Sequence, residues 1–174
     1  MTPASPQVCE PIDMTSAPVL AGFAELYERH YEAVFRAALR VTGNPADAED
    51  VLQTVFLRVF SQRDDEEAAR RPTAYFRRAA VNAAVDLLRR RAVHAETAYD
   101  DEAPRNAPEP PVLLKERLRR ALATIDSEDA ALFLLRHVEG LSNEELAGMF
   151  QLEKNNIAVR LHRIRRRLQT EMER

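Results

Sequence analysis

Between Lys154 and Leu168 the chain carries six basic residues (Lys154, Arg160, Arg163, Arg165, Arg166 and Arg167) and no acidic one. Asn155 and Asn156 open the same stretch. Guanidinium groups pair with phosphates and guanine edges, and amides offer a donor and an acceptor together, so this set is suited to reading duplex DNA. Ile157, Leu161, Ile164 and Leu168 recur at i, i+4, i+7 and i+11, the narrow apolar stripe of an amphipathic helix. Asn155, Val159, His162, Arg163 and Arg166 fall opposite that stripe, with Asn156 and Arg160 towards one flank.

The residues before it position this face. Ser142 followed by Glu145 is a capping box, which starts a short helix over about Asn143 to Phe150. Gln151-Leu152-Glu153 makes a tight turn, and the second helix opens near Lys154. Two helices joined by a short turn, the second one basic, form the helix-turn-helix layout that places a recognition helix in a major groove. A basic face is often only a solvated face. The coincidence of capped short helix, short turn and amide-bearing polar face favours DNA binding.

Upstream, apolar positions from Val19 to Val41 keep helical spacing, and Gly43 is a natural stop. Asn44 is suited to the N-cap and Pro45 to the first turn of a second helix reaching about Gln62. Its first turn holds Asp47, Glu49 and Asp50, where the helix dipole stabilises acids. Ser61 to Arg71 reads as a charged break. Pro72 begins a third helix that is expected to end at Arg89-Arg90-Arg91, since cations suit a C-terminal dipole. Residues 92–111, with five acids against Arg105 and prolines at 104, 108, 110 and 111, read as an acidic linker. Val112–Thr124 and a helix capped by Asp126 and closed by Gly140 then lead into the helix-turn-helix. The expected fold is all-α: two small helical domains, 19–91 and 112–174, after a proline-bearing disordered tail, 1–18.

Composition narrows the function classes. The formal charge of −3 conceals segregation of basic from acidic segments, and it is the local patch that meets phosphate. Cys9 is the single cysteine and the four histidines are dispersed, so neither disulfide nor metal-ligand spacing is present. There is no phosphate-cradling glycine loop and no nucleophile elbow. No run is long enough to span a membrane, and no signal segment opens the chain. The expectation is a cytoplasmic protein that is not an enzyme and has no cofactor, no metal site and no membrane partner.

Three segments in order, LYERHYEAVFRAALRVTGNPADAEDVLQTVFLRVF, AYFRRAAVNAAVDLLRRR and LLRHVEGLSNEELAGMF…LHRIRRRL, resemble the bacterial sigma factors of the extracytoplasmic-function (ECF) group within the sigma-70 family. The resemblance implies a subunit that binds core RNA polymerase, recognises the −10 and −35 promoter elements and helps melt DNA. It implies docking on the β′ clamp helices through Asp47, Glu49, Asp50 and Gln53, and a further contact with the β flap. For the −10 element it implies Ser61, Gln62 and Arg63 in a loop that holds a flipped base, with Arg77, Arg78, Asn82 and Asp86 on the following helix. For the −35 element it implies Lys154, Asn155, Asn156, Ala158, Val159, Arg160, His162, Arg163 and Arg166. The chain departs from the family where Ala158 and Val159 replace the usual basic and hydroxyl residues, and Val159 is suited to touch a thymine methyl or a sugar. Acidic Asp64–Glu67 in the melting loop is expected to face away from the strand. An anti-sigma factor is a further implied partner.

Two other readings stand beside this one. A stand-alone helix-turn-helix regulator would bind duplex DNA and melt nothing, and an adaptor would offer its basic helices to an acidic protein. Promoter sequence, regulon and inducing signal are not encoded legibly in these side chains.

Overall fold

The computed structural model describes residues 17–61, 72–96 and 111–173. Every regular element among them is an α-helix: α1 (Ala17–Thr42), α2 (Pro45–Ser61), α3 (Pro72–Glu96), α4 (Pro111–Thr124), α5 (Ser127–His137), α6 (Asn143–Phe150) and α7 (Lys154–Met172). The tail over residues 1–16, Gln62 and Arg63 with the acids Asp64–Glu67, and linker residues 97–110 lie outside the described residues.

Local chemistry sets the helix ends. Gly43 takes φ +69°, a left-handed conformation that costs glycine nothing, and its N–H closes α1 onto Leu39 O at 2.8 Å. Asn44 Oδ1 then accepts from Ala46 N–H at 2.9 Å and opens α2. Asp126 Oδ1 accepts from the N–H groups of Glu128 and Asp129 and caps α5. Ser142 and Glu145 form the expected capping box, with Ser142 N–H donating to Glu145 at 2.8 Å and Glu145 N–H donating to Ser142 Oγ at 3.2 Å. These bonds, the backbone one first, hold the Glu145 carboxyl below its ordinary pKa, and Arg77 adds to the effect.

One helix end departs from expectation. α3 continues five residues past Arg91, to Glu96. Cations favour a helix terminus without enforcing it, and no glycine or proline interrupts the chain between Arg91 and Glu96.

In the first domain α1, α2 and α3 pack together through Val34, Ala38, Val51, Val55, Phe56, Phe76, Val81 and Val85, all buried. In the second, α7 lays Ile157, Leu161, Ile164 and Leu168 against α4, α5 and α6, where Leu122, Leu132, Leu135 and Leu146 fill the centre. Transfer of such side chains from water, roughly 1.5–3 kcal/mol each when fully buried, is what holds these short helices together. α3 is shared: it packs on α1 and α2 with one side and on α4 and α5 with the other.

Candidate nucleic-acid interface

The helix-turn-helix consists of α6, a turn and α7. Its turn begins at Gln151, which adopts φ 54° and ψ 42° and returns its N–H to Ala147 O. A left-handed residue here swings the chain sharply enough for Leu152 to tuck beneath the pair. With the apolar stripe buried, Asn155, Asn156, Ala158, Val159, His162, Arg163 and Arg166 are all exposed on α7. Val159 is 50% exposed, so packing within the domain does not account for it. Lys154 is exposed and lies 3.5 Å from Glu144.

Asn156, Val159 and Arg163 face Asp126 and Asp129 across an open cleft of about 480 Å3. Arg160 also lines it. Its Nε donates to Asp129 Oδ1 at 2.6 Å and its Nη2 to Glu128 Oε2 at 2.7 Å. Partial burial works against the charge on Arg160, but the hydrogen bonds to Glu128 and Asp129 outweigh it and its pKa lies above the ordinary arginine value. Arg163 and Arg166 form no ion pair among the described residues.

On α3, Arg78, Asn82, Asp86 and Arg89 fall at i, i+4, i+8 and i+11 and share one stripe. Both ends of that stripe meet the second domain. Arg78 donates to Met149 O at 2.7 Å and lies 4.6 Å over the Phe150 ring. Arg89 donates to Ile125 O and Ser127 Oγ. Asn82 and Asp86, between them, are half-buried. Elsewhere along the seam Arg119 Nε reaches Val41 O at 3.1 Å, and Arg40 pairs with the buried Glu139 at 2.9 Å. None of these cross-domain partners was legible from local spacing, since they lie 36 to 99 residues apart.

The acidic start of α2 divides into two groups. Glu49, Asp50 and Gln53 are exposed. Asp47 is not: its side chain is 2% exposed and one oxygen accepts from Arg91 of α3, while the other has no partner among the described residues. The structure thus differs from the expectation at this residue, because the helix turns Asp47 inward with Ala48 and Val51. Leu57, one further turn along from Gln53, is 67% exposed on the same side as Asp50 and Gln53. Its signal in the sequence was an apolar residue outside the buried face of α2. Ser61 is exposed at the end of that helix.

Comparison with known proteins fits this arrangement. Residues 26–93 match the family model for sigma-70 region 2, and residues 115–168 match sigma-70 region 4. The RNA polymerase sigma factor CarQ of Myxococcus xanthus is 32% identical over 145 residues, which cover 81% of this chain and 83% of CarQ. The chain belongs to the ECF group of sigma factors. The ECF sigma factor SigE of Mycolicibacterium smegmatis is 30% identical over 152 residues, 83% of this chain and 59% of that protein. Among solved structures, the sigma factor RpoE of Bartonella quintana, in complex with the anti-sigma factor NepR, shares the fold at 19% identity. It gives a TM-score of 0.50, over 87% of this chain and 97% of that one. As a sigma factor the protein directs promoter-specific transcription initiation by RNA polymerase. Among the described residues no helix is long and apolar enough to cross a membrane, and no group of three or more metal-ligating side chains is gathered.

Proposed function

We propose that the division of labour among residues is as follows. Glu49, Asp50 and Gln53, with Leu57 beside them, form the face that docks on the β′ clamp helices of core polymerase. An apolar side chain within a charged rim is the usual anatomy of a binding centre. Asp47 supports that face from beneath through Arg91. The stripe of Arg78, Asn82 and Asp86, together with Arg77 and with Ser61, Gln62 and Arg63, reads the −10 element. Asn82 is the best base contact, because its amide can donate and accept at one base edge. α7 reads the −35 element through Lys154, Asn155, Asn156, Ala158, Val159, His162, Arg163 and Arg166, and the catalysis is the polymerase's.

The observation that carries this reading is the pair of faces left unfilled by the fold: an exposed acidic and apolar face on α2, and an exposed amide and arginine face on α7. A stand-alone regulator has no need of the first. The second domain engages both ends of the stripe, through Arg78 and Arg89, and its middle is half-buried, so promoter DNA reaches it fully only after the domains part. An anti-sigma factor would act by holding such a closed state, and the protein works in the cytoplasm with its polymerase. The test is binding of the full chain to core polymerase, comparing wild type with Glu49→Ala/Asp50→Ala. Weakening by tenfold or more supports the assignment, and equal binding rejects it.

A further inference from the structure

Arg160 lies between the buried stripe of α7 and its exposed face, with a side chain 29% exposed. Two carboxylates from another helix hold it, and both sit on the first turn of α5, whose backbone Asp126 fixes. Two bonds from one rigid guanidinium fork to two anchored acids define an orientation, which a single contact would not. The adjoining cleft wall is made by Asn156, Val159 and Arg163. A small rotation of α7 about its axis would therefore break the Arg160 bonds and move all three relative to Asp126 and Asp129 on the other side of the cleft.

We propose that Arg160 is a positioning residue: Glu128 and Asp129 hold its guanidinium off the DNA and set the rotation of the recognition helix. The same pairing keeps this flank from adding a sequence-blind phosphate contact. A phosphate could take Arg160 only by approaching the two acids that hold it, which would repel it. Arg163, one turn along and in no ion pair among the described residues, is the phosphate or base contact of this flank. The inference rests on α7 reading the −35 element, and it removes one residue from the reading set that the resemblance implies.

Closed complexes of core polymerase with the full chain test it, on a promoter selected by the wild type and on the same duplex with its −35 segment scrambled. Affinity is followed over about 50 to 200 mM salt, where each phosphate contact contributes about 0.9 to the slope of log K against log salt. Arg163→Ala is expected to flatten the slope by about 0.9. The triple variant Arg160→Ala/Glu128→Gln/Asp129→Asn keeps the wild-type slope, yet loses about tenfold of the preference for the intact −35 element, the order of one well-made base contact. Glu128→Gln/Asp129→Asn alone loosens the guanidinium and steepens the slope on the scrambled duplex by about 0.9. If the triple variant does not fold, Glu128→Gln/Asp129→Asn takes its place: without the acids the preference for the intact −35 element falls, whereas a base-reading Arg160 would keep it. Flattening by the triple variant equal to that of Arg163→Ala, or an unchanged preference, overturns the proposal. A wild type that does not distinguish the two duplexes overturns the −35 reading itself, whatever Arg160 does.

Discussion

Asp47 and Asp50 lie one turn apart in the same acidic helix start, and they should fail in opposite ways. In Asp47→Ala the charge-assisted bond from Arg91 is lost, about 1.5–3 kcal/mol, together with a dipole contribution of roughly 0.3–1 kcal/mol. Two effects offset this. The buried oxygen without a partner no longer has to be kept out of water, a cost of about 1–3 kcal/mol, and alanine is the better helix former. Arg91, whose side chain is 55% exposed, returns to solvent and leaves no orphaned buried cation. The buried carboxyl also leaves a void that costs about 1 kcal/mol. At mid-range, losses of about 4 kcal/mol exceed offsets of about 2.5 kcal/mol. The net loss is therefore about 1–2 kcal/mol, below the roughly 3–5 kcal/mol expected when a fully buried pair is broken. For a small domain that corresponds to a fall in Tm of roughly 5–15 °C, readable by calorimetry or circular dichroism. Asp50→Ala, at an exposed site, should stay within about 0.5 kcal/mol of wild type and instead weaken binding to core polymerase. An unchanged Tm for Asp47→Ala, with polymerase binding weakened as much as by Asp50→Ala, would refute the division between support and docking.

The remaining predictions concern the turn, the core and the seam. Gln151→Gly should stabilise the second domain by up to about 1 kcal/mol, because glycine removes the left-handed penalty at φ 54° while giving some back through a freer unfolded chain; a lowered Tm would contradict this. His30 is buried, stacked 4.6 Å from Phe76, and burial first and Arg29 second push its pKa below the ordinary 6.5. Its neutral form is the folded form, so stability is complete above pH 6.5 and falls as the pH drops below it towards the folded value. Denaturant titrations of His30→Phe should show a shallower loss between about pH 7 and 5, and a loss equal to wild type would show that His30 does not contribute. Glu139→Lys sets a cation against Arg40 across the seam; small-angle scattering should then report a larger radius of gyration, and an unchanged radius would deny the pair a role in closure.

What could be read from the sequence was what local spacing controls. The stripe Ile157, Leu161, Ile164 and Leu168 is buried as its period required, and Ser142 with Glu145 caps α6 as their separation required. Asn44, Pro45 and Gly43 likewise mark helix ends through conformational preferences of their own. Val159 stands exposed, as a residue opposite the core stripe should. What escaped were partners distant in the chain. Nothing near Asp47 announces Arg91, 44 residues on, and nothing near Arg160 announces Glu128 and Asp129, more than 30 residues back. Nothing near Arg78, which the resemblance assigned to the −10 face, announces Met149 and Phe150, against which the fold sets it. Charge type and helical period fix the face a residue takes, while only the packing of whole helices fixes what that face meets. The end of α3 was misjudged for a related reason, since a run of arginines favours a terminus without being able to stop a helix.

In vitro transcription from a pool of randomised promoters, using bacterial core polymerase and the full chain, tests the central claim most directly. Initiation from a subset of templates sharing two elements at fixed spacing, and its loss in Glu49→Ala/Asp50→Ala/Gln53→Ala together with core binding, is the result this account predicts. No initiation from any template, with specific duplex binding by the same protein intact, would contradict it.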